Sequence, residues 1–235
     1  MKKMQISEKS PLRVTPHLLP YQFFHYICIL LQPHLMKILL TSFDPFGTDS
    51  ENSSREAVSL IPDAPLGDAV TLSRHTLPVS FARAPEILSQ LVASERPDII
   101  LMTGQAARPS ICLERTARNW VKSLHGDIDG FLSPGQQISP YLPGELHTPL
   151  PVESIAQALA AEGHPVAVSR SAGTFVCNRL YFHALHTFPS LPSLFVHLPL
   201  TPSQATRRPD GTPSLPSADA AAALTALITL LISTR

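Results

Sequence analysis

Met36-Lys37-Ile38-Leu39-Leu40-Thr41 is where the chain first reads as structure. A short aliphatic run, too brief for a helix of ordinary length, is the pattern of a strand buried on both faces. Three further runs share this character: Asp98 to Thr103, Pro165 to Ser169 and Ser193 to Leu198. Between them, Ser53 to Leu60, Ala84 to Ser94 and Val152 to Ala161 carry helical periodicity, the last beside Pro151, where proline suits a helix start. A final segment, Ser217 to Ile232, joins a capping serine and an early Asp219 to an apolar run too short to cross a bilayer. It reads as a packed closing helix. Strands alternating with helices predict an α/β protein, a three-layer α/β/α sandwich around an open, mostly parallel twisted sheet.

Composition narrows the function classes. Of 235 residues, 44% are hydrophobic and 15% charged, enough for one sizeable core. Residues 36–235 are therefore expected to form a single α/β domain, preceded by a poorly specified extension over 1–35. Within that extension, Tyr21 to Leu31 is apolar but shorter than the roughly 20 residues of a spanning helix, and Pro20 and Pro33 bracket it. Neither a signal peptide nor a membrane anchor is expected. The 18 basic and 18 acidic residues cancel, so no strong field favours nucleic acid or an anionic membrane as partner. Three dispersed cysteines, Cys28, Cys112 and Cys177, form no Cys-x-x-Cys pair, which argues against a metal site and for a reducing, cytoplasmic setting. No Gly-x-Gly-x-x-Gly pattern supports a nucleotide, and no cofactor is expected. Two long stretches rich in Pro, Gly and Ser, Gly126 to Pro151 and Thr201 to Pro216, read equally as functional lids or as disordered segments.

The chemistry concentrates around Ser171-Ala172-Gly173-Thr174-Phe175-Val176-Cys177-Asn178, which follows a strand and leads into a helical pattern. A cysteine at a helix start meets unpaired amides and the positive end of the dipole, both of which favour a thiolate nucleophile. Considered alone, such a cysteine is more often a buried, inert one. Twenty residues on, Leu194-Phe195-Val196-His197-Leu198-Pro199 sets a lone histidine near the end of an apolar strand, where sites form in open α/β sheets. His197 is thus a candidate base for Cys177. Glu114, in Leu113-Glu114-Arg115 after an expected glycine turn at Thr103-Gly104-Gln105, is a candidate to orient the histidine. A surface ion pair with Arg115 or Arg118 is its bland alternative. His183 and His186 share a helix face but lack a third ligand, and are read as surface residues.

Taken together these segments resemble the pyroglutamyl peptidase I family of cysteine peptidases. The resemblance rests on Leu40-Thr41-Ser42-Phe43-Asp44-Pro45-Phe46-Gly47 with Asn52, on Gly104-Gln105-Ala106, on Glu114-Arg115 with Asn119, on Ser171 to Asn178, and on Phe195 to Pro199 with Pro202 and Gln204. It implies a thiol exopeptidase (an omega peptidase) acting on small peptides with an N-terminal pyroglutamate through an acyl-enzyme. It further implies a Cys177, His197, Glu114 triad, a lactam pocket of Phe43, Phe46, Gln105, Phe175 and Val176, and admits a homo-oligomer, a dimer or tetramer. The chain departs from the family pattern at Lys122-Ser123-Leu124-His125-Gly126-Asp127-Ile128, where Leu124 occupies the position of an arginine that helps hold the reacting carbonyl oxygen. Arg118, Lys122 or a backbone amide would have to substitute. Without such a donor, the alternative expectation is a weak or inactive binding protein that keeps the pocket.

Overall fold

The computed structural model describes residues 35–62 and 70–233. The expected extension falls outside these residues, apart from Leu35. In chain order the elements are β1 (Met36–Phe43), α1 (Ser53–Leu60), β2 (Val70–Leu77), α2 (Arg83–Glu95), β3 (Ile99–Gln105), β4 (Ile111–Glu114), β5 (Thr116–Arg118) and β6 (Glu145–His147). They continue with α3 (Val152–Ala161), β7 (Val166–Ser169), α4 (Val176–Thr187), β8 (Ser193–Leu198), α5 (Pro202–Ala205) and α6 (Ser217–Ser233).

Six strands form one sheet in the order β2-β1-β3-β8-β4-β7, parallel except where β4 runs against β8. The four runs read as strands from the sequence are β1, β3, β7 and β8. The other two sheet strands have weaker signals. β2 is an edge strand, half exposed and interrupted by Ser73, Arg74 and His75, and β4 has only four residues. β5 and β6 make a separate antiparallel pair.

Strand periodicity sorts the core into two layers, because alternate side chains face opposite sides. Ile38 and Leu40, Ile99 and Leu101, Leu194 and Val196 point to one face, where α1, α3 and α6 cover them. Leu39, Phe43, Ile100, Met102 and Phe195 point to the other, beneath α2 and α4. This is the expected sandwich.

Four local expectations are corrected. Thr103, Gly104 and Gln105 do not turn; they extend β3, paired with Val196, His197 and Leu198. Ser217 is the first residue of α6, and its hydroxyl donates to the Glu56 carboxylate at 2.8 Å instead of capping its own helix. Within Thr201 to Pro216 lies α5, closed by a capping box in which Thr201 and Gln204 satisfy each other's amides. Gly126 to Pro151 contains β6. No helix among the described residues is long and apolar enough to cross a membrane.

Candidate active site

Parity along the strands selects which side chains can meet. Glu114 and Cys112 of β4, His197 of β8 and position 104 of β3 share the face covered by α4, since His197 pairs in register with Gly104 on one side and Cys112 on the other. His197 and Glu114, 83 residues apart in sequence, make a buried contact of 2.7 Å between the imidazole Nδ1 and the carboxylate Oε1. Glu114 is wholly buried. Its strand is held from above by the Tyr181 hydroxyl, which donates to the Glu114 carbonyl at 2.8 Å.

Cys177 is the second residue of α4, directly after Phe175 at the N-cap and Val176. No side chain caps this helix, so its first-turn amides stay available, as the helix geometry requires of any uncapped start. The thiol descends onto β3 at Gly104. A Cβ at that position would stand 3.0 Å from Cys177 Sγ and 2.9 Å from Phe195 Cζ. Glycine is thus required by space and not by a turn. Phe195 in turn lies against the His197 ring, with centroids 4.8 Å apart. The start of α4 is latched to the 118–122 segment: the Asn178 amide exchanges bonds with Arg118 and donates to Trp120 O, and Thr174 pairs with the Lys122 backbone.

Burial is the main force on the Cys177 thiol, and with the nearby Glu114 charge it pushes the thiol up to about 12. The sulfur's own backbone amide and the Arg108 cation pull the other way. At neutral pH the resting group is therefore a thiol, and a nucleophile forms only if a base takes its proton.

A cavity of about 150 Å³ opens beside the sulfur, lined by Phe43, Phe46, Gln105, Phe175 and Val176, all singled out from the sequence, together with Asn52, Val79 and Cys177. None of these side chains is charged. Phe46 and Phe175 tilt together at 5.8 Å, and Phe81 meets Phe175 edge-on at 5.1 Å, which fixes the aromatic wall. Gln105 has little freedom. Its Oε1 accepts from the Ser53 amide and from Gln204 Nε2, and its Nε2 donates to Asp49. Asp49 is also gripped by Arg208 at 2.8 and 2.9 Å, so the 44–52 loop that carries Phe46 is tied to the segment that follows α5.

Leu124 is 83% exposed. Neither proposed substitute lines the cavity: the Arg118 guanidinium lies 3.7 Å from Glu145, and Lys122 is exposed. His183, expected on the surface, is half-buried between α4 and α2, where its Nε2 meets Ser89 Oγ at 2.8 Å; burial pushes it down to about 4. Among the described residues, no group of three or more His, Cys, Asp or Glu side chains could hold a metal ion. The sequence reading missed Arg108, Asn52, Val79 and Gly104's spatial role. Only Gly104 and Asn52 had a signal, as members of quoted motifs.

Comparisons with known proteins point in one direction. A family profile described as pyroglutamyl peptidase matches residues 36–234. The chain is 38% identical over 202 residues to the pyrrolidone-carboxylate peptidase of Levilactobacillus brevis, covering 84% of this chain and 98% of that protein. It is 38% identical to the protein of the same name from Thermococcus kodakarensis, over 74% and 86% of the two chains. In three dimensions it is similar to the crystal structure of pyroglutamyl peptidase I from Bacillus amyloliquefaciens, with a TM-score of 0.76 and 34% identity over 83% of this chain and 95% of that one.

Proposed function

The chain belongs to the pyroglutamyl peptidase family, and from that membership we propose that it is a thiol exopeptidase that removes N-terminal pyroglutamate from peptides. The observation that carries the reading is an uncharged aromatic cavity opening at Cys177, on the sheet face that also holds the His197–Glu114 pair. Glu114 holds the imidazole by Nδ1, which leaves Nε2 to accept the thiol proton. Because burial holds the thiol protonated, proton transfer accompanies attack on the scissile carbonyl. The Sγ–C bond forms as the carbonyl electron pair moves onto oxygen, and first-turn amides of α4 receive that oxyanion. Collapse of the tetrahedral intermediate expels the peptide amine, which takes the proton from His197. Water, deprotonated by the same histidine, then cleaves the thioester and restores the thiol.

The arginine that the family resemblance leads one to expect is replaced by exposed Leu124, so the amides carry the oxyanion with less help. Loss of one such donor corresponds to roughly 10²-fold to 10³-fold in turnover. Selectivity follows from the cavity's lack of charge. An open glutamyl residue would lose hydration of two charges without a partner there, at several kcal/mol. A prolyl ring would leave donors meant for the lactam oxygen unmatched, at about 1 to 3 kcal/mol. The thiol chemistry suits a reducing, cytoplasmic setting.

Matched fluorogenic pyroglutamyl, prolyl, alanyl and glutamyl amides test the reading, with Cys177→Ala as the blank. Preference for the pyroglutamyl amide is expected, and the blank should be inactive while keeping its circular dichroism. Equal or faster prolyl turnover would overturn the pocket assignment. Alkylation of Cys177 by iodoacetamide with no turnover of any amide would favour a binding protein.

A further inference from the structure

The acid that orients the histidine creates a difficulty that the site must resolve. Glu114 is fully buried, and its charge, while it holds His197, also opposes a thiolate on Cys177. His197 in its neutral form supplies one N–H and no countercharge. The missing cation is on the turn between β3 and β4. Arg108 Nη1 lies 3.0 Å from Glu114 Oε1, the same oxygen that His197 meets at 2.7 Å. The guanidinium reaches further: Nη1 donates to Ser169 Oγ at 2.8 Å and Nη2 to the Ser171 carbonyl at 3.0 Å. Ser171 begins the loop that delivers Cys177, and its hydroxyl accepts from the Gly173 amide at 3.2 Å. One planar side chain thus joins the carboxylate to the loop that carries the nucleophile, a fork that a point charge could not span.

We propose that Arg108 is a positioning residue for the thiol chemistry: it fixes the Glu114 carboxylate on His197, anchors the Ser169–Ser171 turn ahead of Cys177, and offsets the repulsion that Glu114 exerts on the forming thiolate. The proposal rests on the reaction proposed above but is read by a different measurement. The ionisable groups on this layer are His197 of β8, Glu114 and Cys112 of β4, Tyr181 of α4 and Arg108 itself, and of these Glu114 disfavours and Arg108 favours charge on the sulfur. Among these, Arg108 is the permanent cation. When His197 takes the thiol proton, two ion pairs exist in sequence, thiolate with imidazolium and carboxylate with guanidinium. Without Arg108 the carboxylate is uncompensated and the thiolate less favoured. Arg108 is itself only 28% exposed on its side chain, so the pairing is weakly screened.

The test uses Arg108→Met and Arg108→Lys, with Arg115→Met as a control for loss of a neighbouring exposed guanidinium that pairs with Glu153 at 2.7 Å. Two readouts are taken: kcat and KM on the pyroglutamyl amide, and the pH midpoint of iodoacetamide alkylation at Cys177. Arg108→Met should lower kcat by about 10²-fold, the low end of the range that acid–base catalysis contributes, with KM changed far less than kcat. Its alkylation midpoint should move to higher pH. Arg108→Lys should bring the midpoint back toward the parent while kcat stays depressed, since the charge returns but the fork does not. Arg115→Met should match the parent. A lowered kcat with an unmoved midpoint in Arg108→Met would make Arg108 a purely structural brace and overturn the proposal. Parent-like kcat in that variant would do the same. If Arg108→Met fails to fold, Arg108→Gln takes its place: a lowered kcat with a midpoint at higher pH supports the proposal, and a parent-like kcat or an unmoved midpoint overturns it. A parent protein that hydrolyses no pyroglutamyl amide, but whose alkylation midpoint moves in Arg108→Met, would defeat the proposed function and leave this inference standing.

Discussion

The two faces of the sheet are built from different materials. The buried apolar residues under α1, α3 and α6 are Ile, Leu, Val and Ala, with no aromatic ring among them. The layer under α2 and α4 holds Phe43, Phe81, Tyr181, Phe182 and Phe195, and beside them Glu114 and His197. Aliphatic side chains pack to high density, so the layer under α1, α3 and α6 can carry stability. The aromatic layer has rigid rings that wall a cavity and polar edges that tolerate buried ionisable groups. Separating the two tasks lets the reacting face accept costs, such as a buried carboxylate and an uncapped helix, that the opposite face offsets. Substitutions on the two faces should therefore separate activity from stability.

The largest expected effect is on the reacting face. Glu114→Gln retains shape but removes the charge that supports an imidazolium and leaves Arg108 facing a neutral amide. Turnover should fall by roughly 10²-fold to 10⁴-fold, the range for acid–base groups and their orienting partner. Steady-state kinetics alongside a thermal melt would check this; kcat within a few-fold of the parent would remove Glu114 from the mechanism.

Gly104→Ala comes next and affects both quantities. The new methyl has to displace Phe195 or Cys177 Sγ, an overpacking cost of about 1 to 3 kcal/mol. Because the sulfur moves with it, kcat should fall by about 10²-fold, as displacements near 1 Å can do. Full activity would mean that the thiol does not depend on the open space over β3.

On the aliphatic face the pattern should invert. Leu227→Ala in α6 empties space in a fully packed layer, and should cost about 2 to 5 kcal/mol of stability by denaturant titration. Activity per folded molecule should not change. A matching loss of kcat at temperatures where the variant is folded would contradict the division between faces.

The smallest effect concerns pH. Burial, with Arg179 and His186 adding to it, lowers His183 from its ordinary 6.5 to about 4. The unfolded chain therefore binds a proton in this interval that the folded chain refuses, so stability falls as pH drops from about 6.5 toward 4. His183→Gln should flatten the melting temperature over that interval and leave it nearly unchanged at pH 7.5. Parallel curves for the two proteins would assign the acid sensitivity elsewhere.

Much of this architecture was legible in residue order. Strands β1, β3, β7 and β8 announce themselves because buried strands are continuous aliphatic runs, whereas β2, an edge strand, mixes polar with apolar residues and has no such signature. Cys177 and His197 stand out as single reactive groups in otherwise apolar segments, and Phe43, Phe46 and Phe175 as aromatic residues in motif segments. Arg108 and the spatial demand on Gly104 left no comparable mark. An arginine in a turn has the same local pattern whether it faces water or a carboxylate six residues away, and a glycine between strand residues looks like a turn until its neighbours are placed. Sequence alone therefore determined the layers and the nucleophile candidate, since periodicity and local propensity act within a few residues, while the pocket's character followed from the family resemblance of the motif segments. Tertiary structure decided which partner each group meets. Strand order and the reversed β4 bring residues 104, 108, 114, 177 and 197 together, and long-range contacts, such as the one between Glu114 and His197 across 83 residues, are set by packing that no local pattern encodes.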